Sequence, residues 1–325
     1  MAKRSNTSGE QSTDQKNGLH IRNKNNVRYD LPLLMKEYPE LTRFLFTNKH
    51  HKNTIDFSDP DAVRTLNAVL LKHHYGLTYW EIPKEYLCPP VPGRADYIHY
   101  AADLLASLND GIIPIGNGVT LLDVGTGSSC IYPLIGHREY GWRFVGTDVD
   151  AVSIDSARKI IAKNQIPRSQ IEIREQQHSE HIFNGIIKSD ERFEMTVCNP
   201  PFHSSIEQAI AGTKRKWKNL GIPKERSGLL NFGGRQNELV YPGGEEHFIK
   251  TMIRESAEVS TNILWFTTLV SRQTLLPVIG ETLKQYHAAD VKIVSMAQGQ
   301  KKSRFAAWTF QTTEEQKRWF KERSK

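Results

Sequence analysis

The sequence predicts an α/β protein: a mostly parallel seven-stranded sheet covered by helices, ended by a C-terminal antiparallel hairpin and preceded by a small helical region. Three observations predict it. From residue 97 onward, short continuous apolar runs alternate with amphipathic segments, as expected for strands buried on both faces of a parallel sheet. The first run ends in an acid and two glycines, Asp123-Val124-Gly125-Thr126-Gly127, the chemistry of a tight strand-to-loop turn. The last two runs, 291–296 and 305–310, are separated only by residues 297–304. That is too short for a crossover, so those two strands must pair antiparallel.

The elements follow in order. Residues 1–28 are polar and basic, with Lys3, Arg4, Lys16, Arg22, Lys24 and Arg28. They lack the apolar content for a core and are expected to form a disordered basic arm able to touch phosphates. Residues 31–86 carry apolar side chains at three-to-four spacing, and Asp59-Pro60 is a helix start. Residues 29–90 are thus expected to form a helical N-terminal region, whose basic loop with Lys49 and Lys52 suits it to bind a polyanion such as RNA. The stretch 88–94, rich in proline, reads as a stiff connector and domain boundary. Residues 91–325 have room for one large α/β core. It begins with a helix over 97–108. Strands are predicted at 119–124, 143–148, 170–174, 193–198 and 261–270, with helices over 150–164 and 245–259 between them. Residues 203–243 contain about forty residues of little regular pattern, too long for an ordinary loop, and read as a substrate loop.

Composition narrows the function classes. The 325 residues carry a formal charge of +7, which favours a polyanionic partner. Three scattered cysteines provide neither a disulfide framework nor metal-ligand spacing, and point to a reducing cytoplasm. No run approaches the roughly 18 apolar residues of a membrane span. The N-terminus has no apolar segment of a secretory signal. The pairs His50-His51 and His73-His74 are adjacent, which is poor spacing for a shared metal, and no metal site is expected.

Two constellations carry chemistry. At the end of the first strand, Asp123, Gly125, Gly127 and Ser129 form a loop where open α/β sheets bind ligands. Asp148 ends the second strand about twenty residues on, where a carboxylate can accept from ribose hydroxyls. The third glycine of a dinucleotide fingerprint is missing: Ser128, Ser129 and Cys130 follow Gly127. With the terminal hairpin, this favours S-adenosyl-L-methionine over a nicotinamide cofactor. Ser129 and Arg94 are candidates for the methionine carboxylate. The second constellation is Asn199-Pro200-Pro201-Phe202, at the end of the fourth strand. Two prolines fix the backbone. The Asn199 amide oxygen and adjacent carbonyls then present acceptors to an exocyclic amine, with Phe202 as a flat apolar face. The basic residues Lys214, Arg215, Lys216 and Lys218 surround Trp217, a composition suited to an unpaired nucleic-acid strand. Lys301, Lys302 and Arg304, in the predicted hairpin loop, are candidates for the same surface.

These residues carry a family resemblance. The block 122–134, LDVGTGSSCIYPL, with PGRADYI at 92–98, NPPF at 199–202 and GGE at 243–245, resembles the bacterial 23S ribosomal RNA adenine-N6 methyltransferases of the F type. Their eukaryotic relatives methylate adenine in small nuclear RNA and in a messenger RNA hairpin. The resemblance runs from about residue 29 to 311. It implies the Rossmann-like fold of class I methyltransferases, S-adenosyl-L-methionine as methyl donor, and 23S ribosomal RNA or a large-subunit assembly intermediate as partner. It further implies cofactor contacts at Arg94, Gly125, Ser129 and Asp148, where many relatives carry glutamate, and at a hydroxyl after the third strand, here Ser179. Competing readings are a glutamine-N5 protein methyltransferase, a non-enzymatic ribosome-assembly factor and a nicotinamide-dependent oxidoreductase.

Overall fold

A computed structural model describes residues 18–27, 29–48, 51–205, 207–208, 236–298 and 301–323. The sheet is built from β3 (Thr120–Val124), β4 (Arg143–Asp148), β5 (Ile171–Glu175), β6 (Phe193–Cys198), β7 (Ile263–Leu269), β8 (Asp290–Gln298) and β9 (Lys301–Thr309). Their order across it is β5-β4-β3-β6-β7-β9-β8. β3 runs parallel to both neighbours, and β9 runs antiparallel to β7 and β8. The chain crosses from one half of the sheet to the other between β5 and β6, so β3 and β6 flank a topological switch point. Ligands of open α/β sheets bind at the carboxyl ends there. The seven-stranded, mostly parallel sheet with its antiparallel end is therefore present as the sequence predicts.

The sequence determines these elements locally. All six residues of β6 are buried, as a central strand covered on both faces requires. The one acid among them, Glu194, accepts from the Thr120 backbone N–H at 2.5 Å and from Trp319 Nε1 at 3.1 Å. A buried carboxylate is tolerated when its lone pairs are occupied in this way. Helices α4 (Ile131–Tyr140) and α5 (Ala151–Lys163) follow β3 and β4. The latter starts where the Asp150 side chain accepts the Ser153 N–H, an N-cap bond worth about 1 kcal/mol.

Ahead of the sheet lie α1 (Leu31–Glu37), a short antiparallel pair β1 (Leu45–Thr47) and β2 (Asn53–Ile55), α2 (Pro60–Tyr75) and α3 (Val91–Ala106). The helical expectation for 31–86 needs correction at two places. Residues 45–47 and 53–55 pair as antiparallel strands, and the Lys52 N–H donates to Asn48 Oδ1 at 3.1 Å. Residues 76–90 are irregular. The expected connector at 88–94 also differs, since α3 begins at Val91 and places Arg94 in its first turn. Proline is compatible with that turn, where backbone N–H groups have no helical acceptor.

The N-terminal region shares one apolar core with the sheet. Leu66, Leu70, Trp80 and Ile82 belong to the same buried cluster as Leu121, Ile131 and Trp265. Residues 18–27 depart from the expected free arm. Asn23 and Asn25 are buried, and Arg22 and Lys24 reach Asp103 and Glu139 at 2.6 and 2.7 Å. These two cations are paired with carboxylates of the chain itself. Lys3, Arg4, Lys16 and Arg28 lie outside the described residues, as do Lys49 and the 214–218 segment.

In the C-terminal half stand α6 (Gln236–Leu239), α7 (Gly244–Glu258), α8 (Leu276–Gln285) and α9 (Thr313–Arg323). The expected hairpin loop at 297–304 is mostly strand: β8 and β9 pair through Gln298 and Lys301. Lys301, Lys302 and Arg304 thus sit in β9 rather than in a loop. The Arg304 carbonyl accepts the Val270 N–H at 3.0 Å. Among the described residues, no helix is long and apolar enough to cross a membrane.

Candidate active site

A cavity of about 940 Å³ opens at the carboxyl ends of β3, β4 and β6. Of the residues singled out from the sequence, Arg94, Gly125, Gly127, Ser129, Asp148 and Ser179 line it, and so do Asn199 and Pro201. Residues scattered over more than one hundred positions thus meet around one space. Asp123, Pro200 and Phe202 do not form its wall. Asp123 lies under the glycine loop with no exposure, Pro200 is buried, and Phe202 is half-buried outside the lining. All three adjoin residues that do line it: Asp123 precedes Val124 and Gly125, and Pro200 and Phe202 flank Pro201.

The loop after β3 is shaped by glycine. Gly125 and Gly127 have φ of 70° and 63°, a left-handed conformation that costs a side-chain-bearing residue energy. This turns the Gly127 N–H onto Asp148 Oδ2 at 2.8 Å, while Asp150 N–H reaches Asp148 Oδ1 at 3.0 Å. Burial nonetheless pushes the Asp148 carboxyl above its ordinary range. Segment 76–90 braces the loop from outside, through Trp80 Nε1 to the Ser129 carbonyl at 2.9 Å and Tyr86 Oη to Asp150 at 2.8 Å. Across the cavity, the Arg94 guanidinium lies 5.6 Å from the centre of the Tyr132 ring.

At the end of β6, Asn199 lines the cavity, and its amide oxygen is buried without a hydrogen-bond partner. An unpaired buried acceptor is rare in folded proteins and costs about 1–3 kcal/mol. Beside it Cys198 is fully buried, and burial pushes its thiol up, so it offers no thiolate nucleophile at neutral pH. Among the described residues, no group of three or more His, Cys, Asp and Glu is placed to hold a metal ion.

The structure adds wall residues not singled out from the sequence. Glu238, Tyr241, His247 and Phe248 also line it, and Glu238 lies against the glycine loop, where a Cβ on Gly127 would meet its Oε1 at 3.6 Å. Glu238 accepts the Leu87 N–H at 2.9 Å, tying α6 to the N-terminal region. Gly243 has φ of 81°, and a Cβ there would meet His247 Cβ at 2.6 Å. The glycine pair therefore lets His247 stack against Tyr241, with ring centres 5.9 Å apart. The GGE motif at 243–245 was the available signal for this wall.

Asp123 is the most perturbed acid of the site. Burial raises its carboxyl to about 7, with the charge of Asp148 adding to the rise and the Thr126 hydroxyl and the Arg94 charge opposing it. Between the ordinary value near 4 and about 7, the folded state holds a proton that the unfolded chain releases. Stability is therefore lost as pH rises across that window and levels off above it. Asp123→Asn should match the wild type at pH 4 and exceed it by about 2–4 kcal/mol at pH 8. Urea unfolding at both pH values measures this, and a constant difference would refute it.

Comparison with known proteins agrees with this geometry. A model of an RNA methyltransferase family matches residues 13–312. A Pseudomonas fluorescens protein named ribosomal RNA large subunit methyltransferase F is 50% identical over 307 residues, covering 94% of this chain and 90% of its own. A Serratia proteamaculans protein of the same name is 50% identical over 310 residues, covering 95% and 92%. Among solved structures, the human METTL16 catalytic domain in complex with the MAT2A 3′UTR hairpin 1 is 28% identical with a TM-score of 0.76. That match covers 90% of this chain and 96% of the other. The N-terminal domain of human METTL16 in complex with SAH is 26% identical with a TM-score of 0.72, covering 90% and 99%. With a family model spanning nearly the whole sheet and relatives matched over nine-tenths of the sequence, the chain belongs to the RNA methyltransferase family.

Proposed function

We propose that this chain transfers a methyl group from S-adenosyl-L-methionine to the exocyclic N6 of an adenine in large-subunit ribosomal RNA, acting in the cytoplasm on the RNA or an assembling subunit. The observation that carries the reading is Asn199: an unpaired buried amide acceptor in the wall of the cavity that Asp148 and the glycine loop also line.

The residues present fit the donor. Asp148 accepts at the ribose hydroxyls, the glycine loop permits close backbone approach, and Ser129 and Arg94 bind the methionine carboxylate, Arg94 by a charge-assisted pair. Ser179 supplies a further hydroxyl. The donor contributes an electrophilic methyl carried by a sulfonium.

What remains is to make a poor nucleophile competent. The adenine amine lone pair is delocalised into its ring. Asn199 Oδ1 and the Pro200 carbonyl accept the two N–H groups, which favours a pyramidal nitrogen with its lone pair exposed. No strong base is required before attack, because the proton leaves afterwards. Catalysis here is mainly alignment. The target base must be flipped or unpaired to enter. Tyr241 and Phe248 offer it apolar faces within the wall, while Phe202 borders the Asn199 motif from outside the wall. Lys52, Arg304 and the basic residues at 49, 214–218, 301 and 302 supply phosphate contacts, a sequence-independent and salt-dependent contribution.

The test uses the purified chain, methyl-labelled donor and large-subunit ribosomal RNA from cells lacking the protein. Label should appear in N6-methyladenosine at one position by nuclease digestion and mass spectrometry, and ribonuclease should abolish it. Label that survives ribonuclease but not protease would show a protein glutamine as the acceptor and overturn the proposal.

A further inference from the structure

The side of β6 facing β7 does not complete its ladder. The two strands pair at Phe193 with Ile263 and at Met195 with Trp265, and go no further. Beyond that point three hydroxyls take over. The Thr267 N–H donates to Thr196 Oγ1 at 2.8 Å, and Thr267 Oγ1 donates to the Thr196 carbonyl at 2.5 Å. Tyr97, from the second turn of α3, places its hydroxyl 2.7 Å from Thr267 Oγ1 and accepts the Cys198 N–H at 3.3 Å. One proton arrangement satisfies the set. Tyr97 donates to Thr267, Thr267 donates to Thr196, and the Cys198 N–H donates to Tyr97.

The consequence is local and directional. Cys198 is the residue before Asn199, so its N–H pins the Val197–Cys198 peptide, one residue upstream of the Cα that carries the Asn199 side chain. Without Tyr97, that buried N–H would have no strand partner on this side. The phenol is fully buried, and burial holds it neutral far above neutral pH, so it has no role in proton transfer. Its ring stands edge-on to Tyr132, centres 5.4 Å apart, and Tyr132 in turn carries the Arg94 guanidinium on its face. Tyr97 and Arg94 lie three residues apart on α3. One helix thus contacts the cavity wall through Arg94 and the root of the Asn199 motif through Tyr97.

We propose that Tyr97 is a positioning residue: its hydroxyl, held by Thr267, fixes the Cys198 amide and thereby the aim of the Asn199 side chain. The inference rests on the reading of Asn199 as the acceptor for the adenine amine. A misaimed acceptor lowers the rate of transfer without removing a contact to the methyl donor, since small displacements of reacting groups weigh heavily on rate.

The experiment is a double-mutant cycle of Tyr97→Phe and Asn199→Ala, read by single-turnover methylation of unmodified large-subunit ribosomal RNA and by calorimetric titration with S-adenosylmethionine. In the wild-type background, Tyr97→Phe should slow transfer about tenfold with donor affinity unchanged within about twofold. In the Asn199→Ala background it should slow transfer less than about twofold, because the group it aims is already gone. Thr267→Val should reproduce both results and Thr267→Ser should restore the rate, which keeps the test decisive if Tyr97→Phe folds poorly. Equal slowing in both backgrounds, parallel loss of donor affinity, or no slowing at all would overturn the proposal while leaving the role of Asn199 intact. Full activity of Asn199→Ala alone would instead refute the acceptor reading, and this inference with it.

Discussion

Asn199→Ala should lower methyl transfer by about two to three orders of magnitude, the loss typical of removing one preorganised hydrogen-bonding group at a reacting centre. Donor affinity should stay within about twofold. The asymmetry follows from where the amide sits. Asn199 is at the end of β6, and its oxygen makes no hydrogen bond within the protein. Truncating it therefore breaks nothing in the fold and even relieves an unpaired buried acceptor. Thermal stability should hold or rise slightly. Asn199→Asp, which keeps an acceptor in the same place, should recover part of the rate. Single-turnover rates and calorimetry separate the two quantities. A loss of affinity equal to the loss of rate would mean that Asn199 holds the donor instead of the base.

The sheet was legible because its signal is local. Each parallel strand is a short apolar run, and β6 is buried from Phe193 to Cys198 just as the run reads. The hairpin strands were legible for the same reason, yet their loop was misplaced. Residues 297–304 are almost all polar or basic and include a glycine, which resembles a solvated turn, although Gln298 pairs with Lys301 and both strands run through most of the segment. The start of α3 was masked by Pro89-Pro90 and Pro92-Gly93, a composition that suggests a rigid connector but is compatible with a first helical turn. For residues 18–27, polar composition suggested an arm. The Asn23 amide reaches the Pro92 carbonyl and Asp96, and His20 reaches Asp103. These long-range polar contacts leave no periodicity in the sequence.

The site divides along the same line. Residues attached to strand ends, such as Gly125, Gly127, Asp148 and Asn199, could be placed in advance because the fold brings strand ends together. Asp123 also sits at a strand end, but it is fully buried and does not itself line the cavity. The alternation that decides this is hidden in a strand covered on both faces, since apolar residues occupy both sides. Glu238 and Tyr241, near the end of the long 203–243 segment, and His247, just past it, reach the cavity, and no sequence spacing gives the register of a chain that returns after forty residues.

Glu255 carries the largest expected effect on stability. It lies near the end of α7, its side chain has no exposure, and sequence alone suggests only a surface acid on an amphipathic helix. In the structure one carboxylate oxygen accepts the backbone N–H groups of Ile182 and Phe183 at 2.8 Å and of Asn184 at 3.3 Å. The other oxygen meets His181 Nδ1 at 3.1 Å. Burial alone would push this carboxyl up, but those donors outweigh it and hold it below the ordinary range. The segment it clamps, 181–184, includes His181 and Ile182 of the cavity wall and lies just after Ser179. Glu255→Ala leaves three N–H groups without an acceptor and should cost about 3–5 kcal/mol, with donor affinity falling alongside as the wall loosens. Glu255→Gln keeps the shape but turns an amide NH2 toward some of those donors, and should cost about 2 kcal/mol. The pH dependence has a definite sign. Because the folded-state value is depressed, the stabilisation is fully present above the unfolded carboxyl value near 4.3 and is lost as pH falls through the lower folded value. The wild type should therefore lose its advantage over Glu255→Gln in acid and keep it at neutral pH. Urea unfolding of both proteins from pH 7 down to pH 3 gives the answer, and an advantage that persists undiminished at pH 3 would show that Glu255 acts by shape and not as a charged acceptor.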